Sequence, residues 1–182
     1  MELFRNLRLN IGNKILRIRV SKRSRDRKFK NFREVKSIGV VWNASKQDEF
    51  QVLSRFNQKM QEIDVDVKIL GYYHGKHLPD QYTALRYLTC IRNEETNLFF
   101  IPDSTDVKSF IGNKFDILID INFENIFTLK YITLLSKATF KIGLFNTEGN
   151  NSAFDLMMEM KKPVKVEEYL RQVIQYLEMI NS

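Results

Sequence analysis

Two apolar runs flanking an apolar helix constrain this chain more than any other feature: FDILIDIN, then FENIFTLKYITLLSKA, then TFKIGLF. Runs that are apolar at successive positions, rather than alternating with polar ones, read as strands buried on both faces. A helix between two of them makes a β-α-β unit of a parallel sheet. The same grammar extends upstream. SIGVVW is a buried first strand, VDVKILGYY a second and YLTCI a third. Between the first two, Ser45 is placed to cap a helix with Asp48 three residues on, and Phe50, Leu53, Phe56, Met60 and Ile63 recur at helical spacing. A small helix is expected near Val107 to Ile111. Downstream, FDLMMEM reads as an edge strand, and Val166, Leu170, Val173, Leu177 and Ile180 mark a last helix that covers the sheet. The fold class expected is α/β: a three-layer α/β/α arrangement with a mostly parallel, Rossmann-like sheet. At 182 residues it fits one domain, residues 35–182, behind a basic N-terminal extension, residues 1–34.

That extension carries the charge. Residues 1–34 hold twelve Lys and Arg against Glu2, Asp26 and Glu34, a net of +9, which leaves −2 on the rest of the chain. Two readings of residues 1–20 stand side by side. Leu3, Phe4, Leu7, Ile11, Ile15 and Ile18 share one helical arc, with Leu9, Leu16 and Val20 opposite; LRLNI and LRIRV also alternate as a β-ribbon would. Residues 21–33 read as a charged connector, so that deleting residues 1–33 is expected to leave a stable domain. Clustered cations bind polyanions by releasing counterions. Arg17, Arg19, Lys22, Arg23, Arg25, Arg27, Lys28 and Lys30 are the candidate contacts for nucleic acid or another polyanion, with Phe29 and Phe32 placed to stack on bases or to staple the arm to the body. An anionic membrane surface is a second candidate partner, and a solvated or docked arm with no specific partner is the simplest reading of the segment.

Arg5, Arg8, Lys14, Arg17 and Arg19 interrupt every window long enough for a secretory core, the single Cys90 forms no internal disulfide, and no run reaches the length of a membrane span. A cytoplasmic location is expected.

The residues named for chemistry are few. Asn43 and Ser45 follow the first strand and can present a small anion to a helix start. Asp120 lies toward the carboxyl end of its strand, where open α/β sheets bind ligands, and Asn146 lies beyond the next one. Asp116 shares a strand face with Asp120, and the simpler reading of such a carboxylate, Asp120 included, is a polar residue holding a neighbouring loop. His74 and His77 lack further ligands and read as solvated, so no metal is expected. Cys90 has no nameable base and reads as a structural thiol. No glycine-rich phosphate loop, Walker motif or G-x-S-x-G is present, and no cofactor or catalytic residue is expected.

RKFKNFREVKSIGVVWNAS, FIPDSTDVKSFIGNKFDILIDINFENIFTLKYITLLSKATFKIGLF, FDLMMEM and EYLRQVIQYLEMIN together resemble a family of uncharacterised bacterial proteins catalogued as a domain of unknown function. That resemblance implies a fold but no activity. Phe115 to Phe145 is also similar to the N-terminal domain of heptosyltransferase-like glycosyltransferases, which implies at most an acceptor-side half without its donor domain. The expected function is a non-catalytic binding or scaffolding module with a basic arm for a polyanionic partner. The alternative is a nucleotide or nucleotide-sugar binding domain with its pocket at the strand carboxyl ends, near Asn43, Asp120 and Asn146.

Overall fold

Apolar side chains on both faces leave a strand only one stable place, between two helical layers, and the chain builds that place at the centre of a six-stranded sheet. In a computed structural model that describes residues 2–145 and 153–180, the strands are β1 (Ser37–Asn43), β2 (Asp66–Tyr73), β3 (Leu88–Arg92), β4 (Ile117–Asp120), β5 (Phe140–Leu144) and β6 (Leu156–Met158). They form one sheet in the order β3-β2-β1-β4-β5-β6, and every pairing is parallel. The central strands are the most deeply buried. Ile38, Val40, Val41, Leu118 and Ile119 are inaccessible to solvent, and each such side chain contributes roughly 1.5–3 kcal/mol by leaving water.

Alternation along β1 divides the core. Ile38, Val40 and Trp42 face a layer made by α2 (Phe50–Gln61) and α5 (Val166–Met179), whereas Val41 faces α3 (Thr105–Gly112) and α4 (Phe127–Leu135). Ser104 caps α3 by accepting from the Val107 N–H at 3.3 Å. The start of α2 departs from expectation. Its α-helical part begins at Phe50, after a single 3₁₀ turn over Gln47–Glu49. Ser45 does not cap it, because its hydroxyl accepts from the His74 N–H at 3.1 Å and also pairs with the His74 ring nitrogen.

The N-terminal segment is a helix, α1 (Glu2–Ser21), packed on the α3/α4 layer, and the ribbon alternative falls. The face it docks is the minority one. Leu16 is buried against α4 with Leu9 and Val20 beside it, and Gly12 lies so close to the loop before α3 that a Cβ there would stand 2.5 Å from the Phe99 carbonyl oxygen. The ends of the longer stripe face outward, with Leu3 82%, Phe4 72% and Leu7 57% exposed, whereas Ile11 and Ile15 in its middle are half-buried and Ile15 packs on the same core. The connector is stitched to the body as well. Arg25 donates twice to Asp155 at 2.6 Å, Lys30 pairs with Asp116 at 2.5 Å, and the Lys28 N–H donates to the Thr139 carbonyl at 3.1 Å. Phe29 packs edge-on against Phe140, and Phe32 is buried, so both aromatics staple the segment and neither is free to stack on a base. Among the described residues no helix is long and apolar enough to cross a membrane.

Candidate functional site

The order β3-β2-β1-β4-β5-β6 fixes where a ligand can enter. From β1 the chain leaves for α2 on one face; from β4 it leaves for α4 on the other. The two departures open a crevice at the carboxyl ends of adjacent strands, the place where doubly wound sheets bind ligands. A cleft of about 550 Å³ lies there. Asn43 comes from the end of β1, Lys46 and Glu49 from the turn that follows, and Phe123 and Glu124 from the turn after β4. Lys162 stands on the segment leading into α5. Ile121, Leu144 and Val164 complete an apolar wall.

The polar groups are organised. Asn43 donates from its amide to Glu124 at 3.1 Å and accepts from the Ser45 N–H at 3.2 Å, an arrangement that folds the turn after β1 back on itself. Lys46 pairs with the other Glu124 oxygen at 2.9 Å. Trp42 donates its indole N–H to Glu49 at 2.9 Å. Burial pushes the Glu49 carboxyl up to about 7, against the opposing pull of that hydrogen bond. Trp42 is the single tryptophan of the chain, which makes the pair a built-in reporter. Tryptophan emission is expected to titrate with a midpoint near 7, Glu49 being protonated below it and ionised above, and Glu49→Gln, which preserves the acceptor, is expected to flatten the curve. An unchanged titration in the variant would detach Glu49 from the indole.

Of the ligand candidates read from sequence, Asn43 lines the cleft, whereas the Ser45 hydroxyl is engaged with His74. Asp120 points the other way. Its carboxylate is buried beneath α4, where it accepts from the Thr133 hydroxyl at 2.6 Å and the Asn122 N–H at 2.8 Å, and burial pushes it up to about 6. Asn146 lies outside the described residues. Asp116 holds Lys30 and the backbone at the start of β1. Burial alone would raise its carboxyl, but Lys30 and the N–H groups of Lys36 and Ser37 outweigh that and hold it below the usual range. Cys90 is pushed up to about 12 by burial, which keeps it a thiol at neutral pH. His74 and His77 are both exposed. Among the described residues no cluster of His, Cys, Asp or Glu is placed to hold a metal ion.

The basic candidates divide by environment. Arg25 and Lys30 are structural ion pairs, and Arg27 reaches Asp155 at 3.7 Å while its side chain stays mostly in solvent. Arg19, Lys22 and Arg23 line a second cleft of about 520 Å³ between the end of α1 and α3, with Lys108 and Asp103 opposite. There Arg19 donates to the Tyr131 hydroxyl, and burial lowers the Arg23 guanidinium from its ordinary range. Arg17 and the Lys28 side chain are exposed. Sequence reasoning missed Glu49, Phe123, Glu124 and Lys162, which come from three separate loops. It also missed Lys141, buried within an apolar strand, whose ammonium donates to the Thr133 and Leu134 carbonyls at 2.6 and 3.1 Å while burial lowers it to about 7. That lysine stood out as the one charge in TFKIGLF.

A sequence profile described as a family of unknown function, DUF6913, matches residues 8–180. The match runs through α1 and the connector as well as the sheet. No curated protein matches the chain significantly.

Proposed function

The chain belongs to the DUF6913 family, whose function is unknown, and from the site alone we propose that it is a non-catalytic binding module whose small-molecule ligand is nucleoside-like and sits in the cleft between β1 and β4. One observation carries this reading: the acceptors Glu49 and Glu124 line the same cleft as the aromatic and aliphatic side chains of Phe123, Ile121 and Leu144, at a switch point of the sheet. A volume of about 550 Å³ falls inside the range of about 300–1,000 Å³ typical of small-molecule sites. A flat ring stacks on Phe123, and hydroxyl or amino groups donate to the carboxylates.

A dinucleotide fits this chemistry poorly. The turn after β1 has no glycine for close backbone approach, and Asp48 and Glu49 put carboxylates at the entry of α2, where a pyrophosphate would otherwise sit. A phosphate on the ligand is accommodated only at the rim, toward the exposed ammonium of Lys162. Binding, rather than turnover, is favoured because each acid already has a partner: Glu49 holds Trp42, and Glu124 holds Asn43 and Lys46.

Adenosine, uridine, their monophosphates and a nucleotide sugar, titrated calorimetrically and by Trp42 emission, test the reading. At least one nucleoside is expected to bind saturably. Phe123→Ala and Glu124→Ala are each expected to weaken it roughly tenfold or more, since stacking and a hydrogen bond to a charged group are worth about 1–3 kcal/mol each. Failure of every nucleoside to bind at millimolar concentration would sink the proposal.

A further inference from the structure

The outward face of α1 exposes apolar side chains that the fold does not use. Leu3, Phe4 and Leu7 are 82%, 72% and 57% exposed, and Ile18 continues the line at the far end of the helix. A second element adds to it. Arg8 donates to the Leu98 carbonyl and lies over the Phe100 ring, which sets the 71%-exposed Leu98 beside the first turns of α1. The opposite face of α1 is already committed to α4 through Leu16 and Gly12, so rotating the helix to bury the stripe would unpack the core. Exposed Lys14 and Arg17 border the stripe on the helix surface.

We infer that this face of α1 seats the protein on an anionic membrane surface, with the helix lying in the plane of the headgroups. Leu3, Phe4, Leu7 and Leu98 enter the acyl boundary, and Lys14 and Arg17 meet lipid phosphates. Charge selects this occupant over a second copy of the chain. Two facing stripes would bring together two helices that each carry Arg5, Arg8, Lys14, Arg17 and Arg19 against the single acid Glu2, whereas an acidic leaflet attracts them. The apolar stripe selects it over nucleic acid, which offers phosphates but no hydrocarbon to cover leucine and phenylalanine, and Phe29 and Phe32 are not free to stack.

Co-sedimentation of the full chain with phosphatidylcholine vesicles, with and without a third of phosphatidylserine, tests the inference. Retention is expected on the acidic vesicles alone. Phe4→Ser with Leu7→Ser alters exposed side chains and leaves the charge intact, so it is expected to keep the melting midpoint and to lower vesicle affinity roughly tenfold or more. Lys14→Gln with Arg17→Gln is expected to weaken retention and to flatten its dependence on salt. The inference is overturned by equal retention on neutral vesicles, by no retention at low salt, or by retention indifferent to the serine pair. Tight oligonucleotide binding indifferent to the serine pair would assign the charge to nucleic acid instead. A dimer abolished by that pair would assign the stripe to self-association.

Discussion

Ile119→Asp is expected to leave no folded protein. Ile119 is fully buried in β4, paired in register with Val40 of β1 and Ile142 of β5, and it belongs to the larger of the two cores. A carboxylate there has no partner, and burying it costs several kcal/mol beyond the packing that is lost. Against a total stability of about 5–15 kcal/mol that is enough to unfold the domain. Ile119→Val is the control, expected to cost about 0.5–1.5 kcal/mol. Urea titration followed by circular dichroism and Trp42 emission distinguishes the two. A cooperative transition of the aspartate variant near the wild-type midpoint would refute the placement of β4 in the sheet centre.

Removing residues 1–33 is expected to abolish soluble expression, the opposite of what a detachable arm would do. The deletion strips Leu16 and Phe32 from the two cores and leaves the buried Asp116 and the half-buried Asp155 without Lys30 and Arg25. Breaking a fully buried ion pair by removing one partner costs about 3–5 kcal/mol, and these partly buried pairs cost less, in addition to the loss of apolar burial. Deleting residues 1–7 alone, where Leu3, Phe4 and Leu7 are exposed, is expected to leave the melting midpoint nearly unchanged. A well-behaved, cooperatively melting domain of residues 34–182 would show that α1 and the connector are accessory.

The sheet was legible because strands buried on both faces have no freedom to be polar: SIGVVW and FDILIDIN correspond to β1 and β4. The edge position of β6 was legible too, from its alternating composition. The docking face of α1 was not. A helical wheel counts apolar side chains and so favours Leu3, Phe4 and Leu7, whereas packing was decided by Gly12, whose missing side chain admits the Phe99 carbonyl. The cleft was half legible. Asn43 followed from its position after the first strand, but Glu49, Phe123, Glu124 and Lys162 meet only through topology, and no spacing announces that. Asp120 faces away from the cleft, and an apolar run conceals which face a strand-end carboxylate takes. Ile117, Ile119 and Ile121 share the α5 side, which turns Asp120 toward α4.

The docking of α1 on α4 also orders events in time. Ser21 and Phe127 are separated by roughly a hundred residues, so a chain synthesised at about 5–20 residues per second carries its first helix without a partner for several seconds. β1 waits about two thirds as long for β4, its neighbour on one side. Throughout that interval Leu9, Leu16 and Val20 lie open to other chains. The arginines and lysines of the same segment repel neighbouring copies and keep it solvated, so its charge guards the nascent chain before the finished protein has any use for it.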